Sequence, residues 1–208
     1  MMASIGNDLV ARQGLKLFDR KGYLQKAFTA TEISGSPIED PLLYFGMLWA
    51  SKESAYKVNI KKGFRKAFSP LKYCAEISPG PTSETYRGQV RYGSSVFYTT
   101  VSIAEEFIYA VSSEDLKAIE LTYNQVIEIP NADPVLQSNA ALTLLQQILR
   151  TRMGFSSDEM ATKLSAMKMY PSMIDSQGER PFDLSISHDG IFVAVACLDP
   201  KNDNLCSR

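Results

Sequence analysis

The chain is short of cysteine, shorter of histidine, and has no long apolar run, and each shortage closes off a class of protein. Its three cysteines, Cys74, Cys197 and Cys206, are odd in number and lack close metal-ligand spacing. A disulfide framework is therefore not expected, and a reducing cytoplasm is the expected compartment. The single histidine, His188, cannot build a three-histidine zinc site. No cysteine neighbours it in sequence, which leaves cysteine–histidine catalysis little support. Nowhere do about eighteen apolar residues follow one another, and no amino-terminal apolar stretch looks like a signal peptide. A soluble chain is the expectation. The glycine-rich signatures G-x-x-x-x-G-K-[ST] and G-x-G-x-x-G are both missing, so neither a P-loop nor a Rossmann site is indicated. Internal repeats, low-complexity tracts and linkers are missing too.

What is present suffices for a core. The 208 residues, 45% of them hydrophobic, fit one domain over 1–208 without staples. The net charge of −1 hides an asymmetry. Between Lys52 and Lys72 stand seven basic residues and one acid, Glu53. Between Arg12 and Lys26 stand five more basic residues, among them Lys16, Arg20 and Lys21, against Asp19 alone. Acids gather later, as at Glu105–Glu106 and Glu114–Asp115. A basic amino-terminal third suits either a polyanionic partner or a plain solvated face.

Element signals follow one another in a mixed order, which argues an α+β fold. "ASIGNDLV", 3–10, reads as a short strand ending in a polar turn at Asp8. Residues 13–28 read as a surface helix broken near Gly22, with Thr29 or Thr31 capping a further start. Asp40 before Pro41 marks the start of a helix through about Val58. Residues 73–129 look β-rich, with a hairpin turning at Gly93–Ser95. Asp133–Pro134 opens a helix through Leu149, Ser156 or Ser157 caps a shorter one ending by Pro171, and "DSQGER" makes a turn. "PFDLSISH" and "IFVAVACL" are two last strands, the second apolar enough to be central.

Chemistry-bearing residues fall in three places. Glu53 and Lys57, four apart, share a face of the buried helix. They read either as an ordinary pair contributing a few tenths of a kcal/mol, or as a half-buried carboxylate that needs a cation or a divalent metal beside it. Asp8, from a strand, would supply a second carboxylate. Two carboxylates with waters and a phosphate suit Mg2+, with lysines neutralising the remaining phosphate charge. His188 lies in "LSISHDG" beside Ser185, Ser187 and Asp189. It is either a histidine satisfied within a turn or part of a phosphate ligand set.

Taken in order, these fragments resemble the 4'-phosphopantetheinyl transferase superfamily. The likeness rests on Ile5-Gly6-Asn7-Asp8-Leu9-Val10, on Ala27 to Glu32, on Trp49-Ala50-Ser51-Lys52-Glu53-Ser54-Ala55-Tyr56-Lys57, and on Ser185 to His188 before "FVAVA". It spans residues 5 to about 72 and about 178 to 198. The order looks like the short holo-acyl-carrier-protein synthases, typically homotrimers with sites between subunits. The tryptophan-bearing helix looks more like the longer surfactin-synthetase-activating type. Leu48 stands where the short enzymes commonly carry an arginine, and Val10 where the longer type often adds an acid. A homotrimer, or a monomer as alternative, is the expected state. The implied fold is a small antiparallel sheet on a long buried helix, with residues 73–170 as a β-rich and helical insertion.

The resemblance implies transfer of phosphopantetheine from coenzyme A to a serine of an acyl or peptidyl carrier protein. Asp8 and Glu53 would hold Mg2+. Lys57 would stabilise developing charge, and Glu53 or a water would serve as base. Lys52, Lys57, Lys61 (or Lys62), Ser187 and His188 would contact coenzyme A. Arg12, Lys16, Arg20 and Lys21 would dock the acidic carrier protein. Neither nucleic acid nor membrane is expected as a partner. Two other readings use the same residues: a non-catalytic module binding coenzyme A or an acidic protein, and a metal-dependent nucleotide pyrophosphate hydrolase.

Overall fold

The computed structural model describes residues 3–36, 38–63, 67–152, 154, 156 and 182–198. Five strands form one antiparallel sheet in the order β1-β5-β4-β3-β2: β1 (Ile5–Ala11), β2 (Cys74–Pro79), β3 (Thr85–Tyr92), β4 (Ser95–Ile103) and β5 (Phe107–Ser113). Three more, β6 (Thr122–Glu128), β7 (Asp183–Asp189) and β8 (Phe192–Leu198), form a second antiparallel sheet in the order β6-β8-β7. The fold is α+β. It is larger than the small sheet expected, and β5 pairs directly with β1. The first part of the segment expected as an insertion, from β2 to β5, is thus built into the sheet that carries Asp8. The predicted short helix and turn between 157 and 181 lie outside the described residues.

Among the described residues, five helices accompany the sheets: α1 (Leu24–Ala27), α2 (Ala30–Ser34), α3 (Pro41–Lys61), α4 (Leu116–Glu120) and α5 (Pro134–Arg152). Arg12–Asp19 forms 3-10 turns, and Gly22, at φ +76°, breaks the stretch before α1. The sequence signals explain the helix starts. Asp40 accepts from the Leu42 and Leu43 N–H groups, with Pro41 inside the first turn. Thr29 and Glu32 form a reciprocal capping box on α2. Gly93, at φ +58°, makes the turn of the β3–β4 hairpin.

α3 is the axis of the larger layer. Met47 and Leu48 have no exposed surface and pack with Phe97, Val101 and Ile108 of the sheet; each such side chain contributes about 1.5–3 kcal/mol on burial. α5 packs on the smaller sheet through Leu144, Leu145 and Leu149 against Phe182, Val193 and Val195. Leu9, Tyr109 and Val111 meet Phe192 and Ala194, which joins the two sheets through a third cluster. β8 is the central strand of its sheet, as its apolar run predicts. Among the described residues, no helix is long and apolar enough to cross a membrane.

Candidate functional site

The residue before the aspartate's neighbour sets how closely α3 can lie on β1. A Cβ on Gly6 would collide with the Ser54 carbonyl and press on Lys57, so only glycine lets helix and strand touch here. Their contact brings Lys57 Nζ to Asp8 Oδ1 at 2.9 Å and to the Asn7 carbonyl at 2.8 Å. Asp8 lies inside β1 rather than at its end, and its surroundings leave it 6% exposed. Glu53 lies one turn before Lys57 on α3 and is half-buried.

These groups open on a cavity of about 270 Å³. Asp8 and Glu53 line one side, His188 and Asp189 another, and Phe18, Tyr23 and Trp49 give it an aromatic wall. Phe18 and Tyr23 lie 6.3 and 6.2 Å from Trp49, which itself meets Phe68 edge-on at 5.5 Å. Three carboxylates and three aromatic rings thus line the cavity.

The electrostatics follow from crowding. Burial, then the charge of Asp8, moves the Glu53 carboxyl up to about 7; Lys57 opposes this and Asp189 adds to it. Burial also raises the Asp8 carboxyl, against the pull of Lys57. Two carboxylates with one bonded ammonium leave negative charge that a hard divalent cation would relieve. Among the described residues no three His, Cys, Asp or Glu side chains form a ready-made metal cage. An ion here would therefore be held by two carboxylates and complete its shell with water and substrate oxygens, which suits Mg2+. On donor type, Asp8 and Glu53 fit it.

The other candidates scatter. Lys52 does not face the cavity. Its side chain is fully buried, donating to Glu32 Oε2 at 2.8 Å, the Ala27 carbonyl at 2.9 Å and the Pro70 carbonyl at 3.2 Å. Glu32 also accepts from the Thr29 and Ala75 N–H groups. The first motif lysine is therefore a clamp between α3, α2 and β2 rather than a ligand for coenzyme A. Lys61 likewise turns inward, onto Asp183 at 2.8 Å and the Ile5 and Leu184 carbonyls at 2.6 Å each. Lys62 pairs at the surface with Glu114. Leu48 lies wholly in the core.

His188 is exposed at the cavity mouth, whereas Ser187 is 4% exposed and its Oγ has no partner among the described residues. Lys16, Arg20 and Lys21 are exposed beside the aromatic wall, and Arg12 bonds the Glu105 carbonyl at 3.2 Å. Asp189 was not among the expected site residues. It lines the cavity, accepts from the Ala11 N–H at 2.8 Å, and stands next to the histidine that drew attention in the sequence.

β7 belongs to the same chain as β1, so both walls of the cavity come from one copy of the protein. No protein-family model and no curated protein matches this chain.

Proposed function

We propose that the chain is a 4'-phosphopantetheinyl transferase, moving the phosphopantetheine arm of coenzyme A to a serine hydroxyl of a carrier protein. The observation that carries this reading is the meeting of Asp8, Glu53, His188 and Asp189 around one cavity, with Lys57 bonded to Asp8 at its edge. The motifs that resemble the family are dispersed over the sequence, and three of their polar members, Asp8, Glu53 and His188, line one cavity.

Asp8 and Glu53 would hold Mg2+, which supplies charge neutralisation to the diphosphate of coenzyme A when bound. Lys57 offers its ammonium to the oxygens that gain charge as the phosphoryl group moves. Glu53, or a metal-bound water, would take the serine proton. The serine oxygen forms a bond to the phosphorus nearest the pantetheine, and the bond from that phosphorus to the bridging oxygen breaks. Adenosine 3',5'-bisphosphate leaves with that oxygen. His188, open at the mouth, is placed to donate to a nucleotide phosphate. The aromatic wall keeps water from one side of the reacting groups. Exposed Lys16, Arg20 and Lys21 beside that wall would meet an acidic carrier and mainly speed encounter.

Incubation with coenzyme A, MgCl2 and an apo carrier protein, followed by weighing the carrier, tests the reading. One added phosphopantetheine supports it. Hydrolysed coenzyme A with unmodified carrier would make the protein a pyrophosphate hydrolase, and binding without either product would make it a binding module.

A further inference from the structure

β1 and β7 share no backbone ladder, since they are edge strands of different sheets. Side chains of β7 bridge the gap instead. The Ile5 N–H donates to Asp183 Oδ2 at 2.6 Å, the Asn7 N–H to Ser185 Oγ at 2.9 Å, and the Ala11 N–H to Asp189 Oδ2 at 2.8 Å. Each bond joins residues 178 apart, so the strands run parallel in one fixed register. The fourth rung, Leu9 opposite Ser187, is missing: the Ser187 Oγ has no partner among the described residues.

Burial alone does not choose this register. A slip of one residue would turn every β7 side chain to the wrong face, but a slip of two would keep inward and outward residues in place. Such a slip would carry His188 about 6–7 Å along β1. Something must distinguish one odd position from the next. Lys61 does so, because its ammonium contacts both strands at a single level: Ile5 on β1, and Asp183 and Leu184 on β7. Its side chain is 12% exposed and that of Asp183 1%, so an ammonium left without that carboxylate would be expensive.

We propose that Lys61 and Asp183 are positioning residues that lock the register of β7 on β1, and thereby the distance from Asp8 to His188 and Asp189. They lie at the far end of the seam. Asp183 is five residues from His188, about 17 Å along an extended strand, so neither residue of the pair touches the reacting atoms. In kinetic terms the inference rests on the transferase reading; in structural terms it does not.

Amide exchange measured by NMR on the full chain provides the test, using Lys61→Met/Asp183→Asn, which removes both charges together, and Asp183→Asn, which keeps an acceptor for the Ile5 N–H. If the pair locks the register, the Asn7 and Ala11 amides exchange at least about tenfold faster in the double variant, although their own acceptors, Ser185 and Asp189, are unchanged. The amides of Phe97 and Val101 in β4 keep their protection. Acceleration confined to Ile5 would overturn the proposal. Should the double variant fail to fold, the same comparison is made on Asp183→Asn, and unchanged Asn7 and Ala11 amides there overturn it.

The kinetic arm compares the Michaelis constant for coenzyme A with the affinity for Mg2+ alone. Displacing β7 should raise the first at least about tenfold and leave the second within about twofold, because Asp8 and Glu53 do not sit on β7. Equal losses in both would count against positioning. A wild-type protein without transferase activity would refute the proposed function and leave the exchange experiment to decide the register lock.

Discussion

Glu53 makes the response to pH a direct test of the carboxylate pair. In the fold its carboxyl moves from 4.5 up to about 7, chiefly through burial and then through Asp8. A carboxyl raised in this way holds its proton more tightly in the folded chain than in the unfolded one. Its ionisation therefore costs nothing below about pH 4.5, and the full destabilisation is reached as pH rises through about 7. At about 1.4 kcal/mol per pH unit the full effect approaches about 3 kcal/mol, and partial access to solvent trims it to about 1–2 kcal/mol. Asp8, raised by burial, acts in the same direction. On the proposed function Mg2+ would bind the ionised pair and should reverse the loss. The assay is thermal unfolding followed by fluorescence of Trp49, the single tryptophan, in EDTA and in excess MgCl2. The gain in midpoint on adding MgCl2 should be clearly larger at about pH 8 than at about pH 6. Glu53→Gln should abolish most of that gain and flatten the slope between about pH 5 and about pH 8 relative to wild type. A Glu53→Gln protein with the wild-type slope and the wild-type Mg2+ response would refute the reasoning.

Glu32→Gln or Lys52→Met should each destabilise the protein by about 3–5 kcal/mol in urea unfolding, because each leaves a buried partner uncompensated, while the double variant should lose less than the two added together. Where Lys52→Met stays folded, its Michaelis constant for coenzyme A should remain within about threefold of wild type, since the ammonium faces Glu32 and not the cavity. Lys57→Met should lower kcat by about 100-fold or more in the carrier-modification assay, and it should also lower the unfolding midpoint, because it leaves the buried Asp8 carboxylate without its ammonium. Since Asp8, Glu53, His188 and Asp189 line the cavity within one chain, specific activity should not fall on dilution; activity that tracks a trimer would contradict this. Added salt should raise the Michaelis constant for the carrier more than that for coenzyme A, and Arg20→Glu with Lys21→Glu should reproduce the effect at low salt.

Periodicity and capping residues made the frame of the molecule legible. Asp40–Pro41, the Thr29–Glu32 box and Asp133–Pro134 all mark helix starts in the structure, since their chemistry is local. Asp8 was set beside the Glu53–Lys57 helix through the order of the motifs and their resemblance to a family; the close approach that Gly6 allows left no mark that could be read in advance. Charge was a poorer guide. Lys52, Lys57 and Lys61 look alike in sequence, yet only Lys57 stands at the cavity's edge. What separates them is the partner each finds, at Glu32, Asp8 and Asp183, and those partners lie far away along the chain. Asp189 was overlooked beside His188 because a carboxylate in a turn is commonplace. The joining of two sheets through alternate side chains of "DLSISHD" leaves no periodic mark that differs from an ordinary strand.

The side-chain seam along β1 also has a bearing on solubility during folding. β1 is paired through its backbone on one side only, and unpaired strand edges recruit other chains. Carboxylate and hydroxyl oxygens from β7 occupy the amides of its second side without offering a new continuous ladder for another strand. A chain that stalls before β7 docks would present that side bare, next to the apolar surface of Leu9 and Val111. Losses at Ser185 or Asp183 should therefore be felt first as aggregation on refolding, and only afterwards as reduced catalysis.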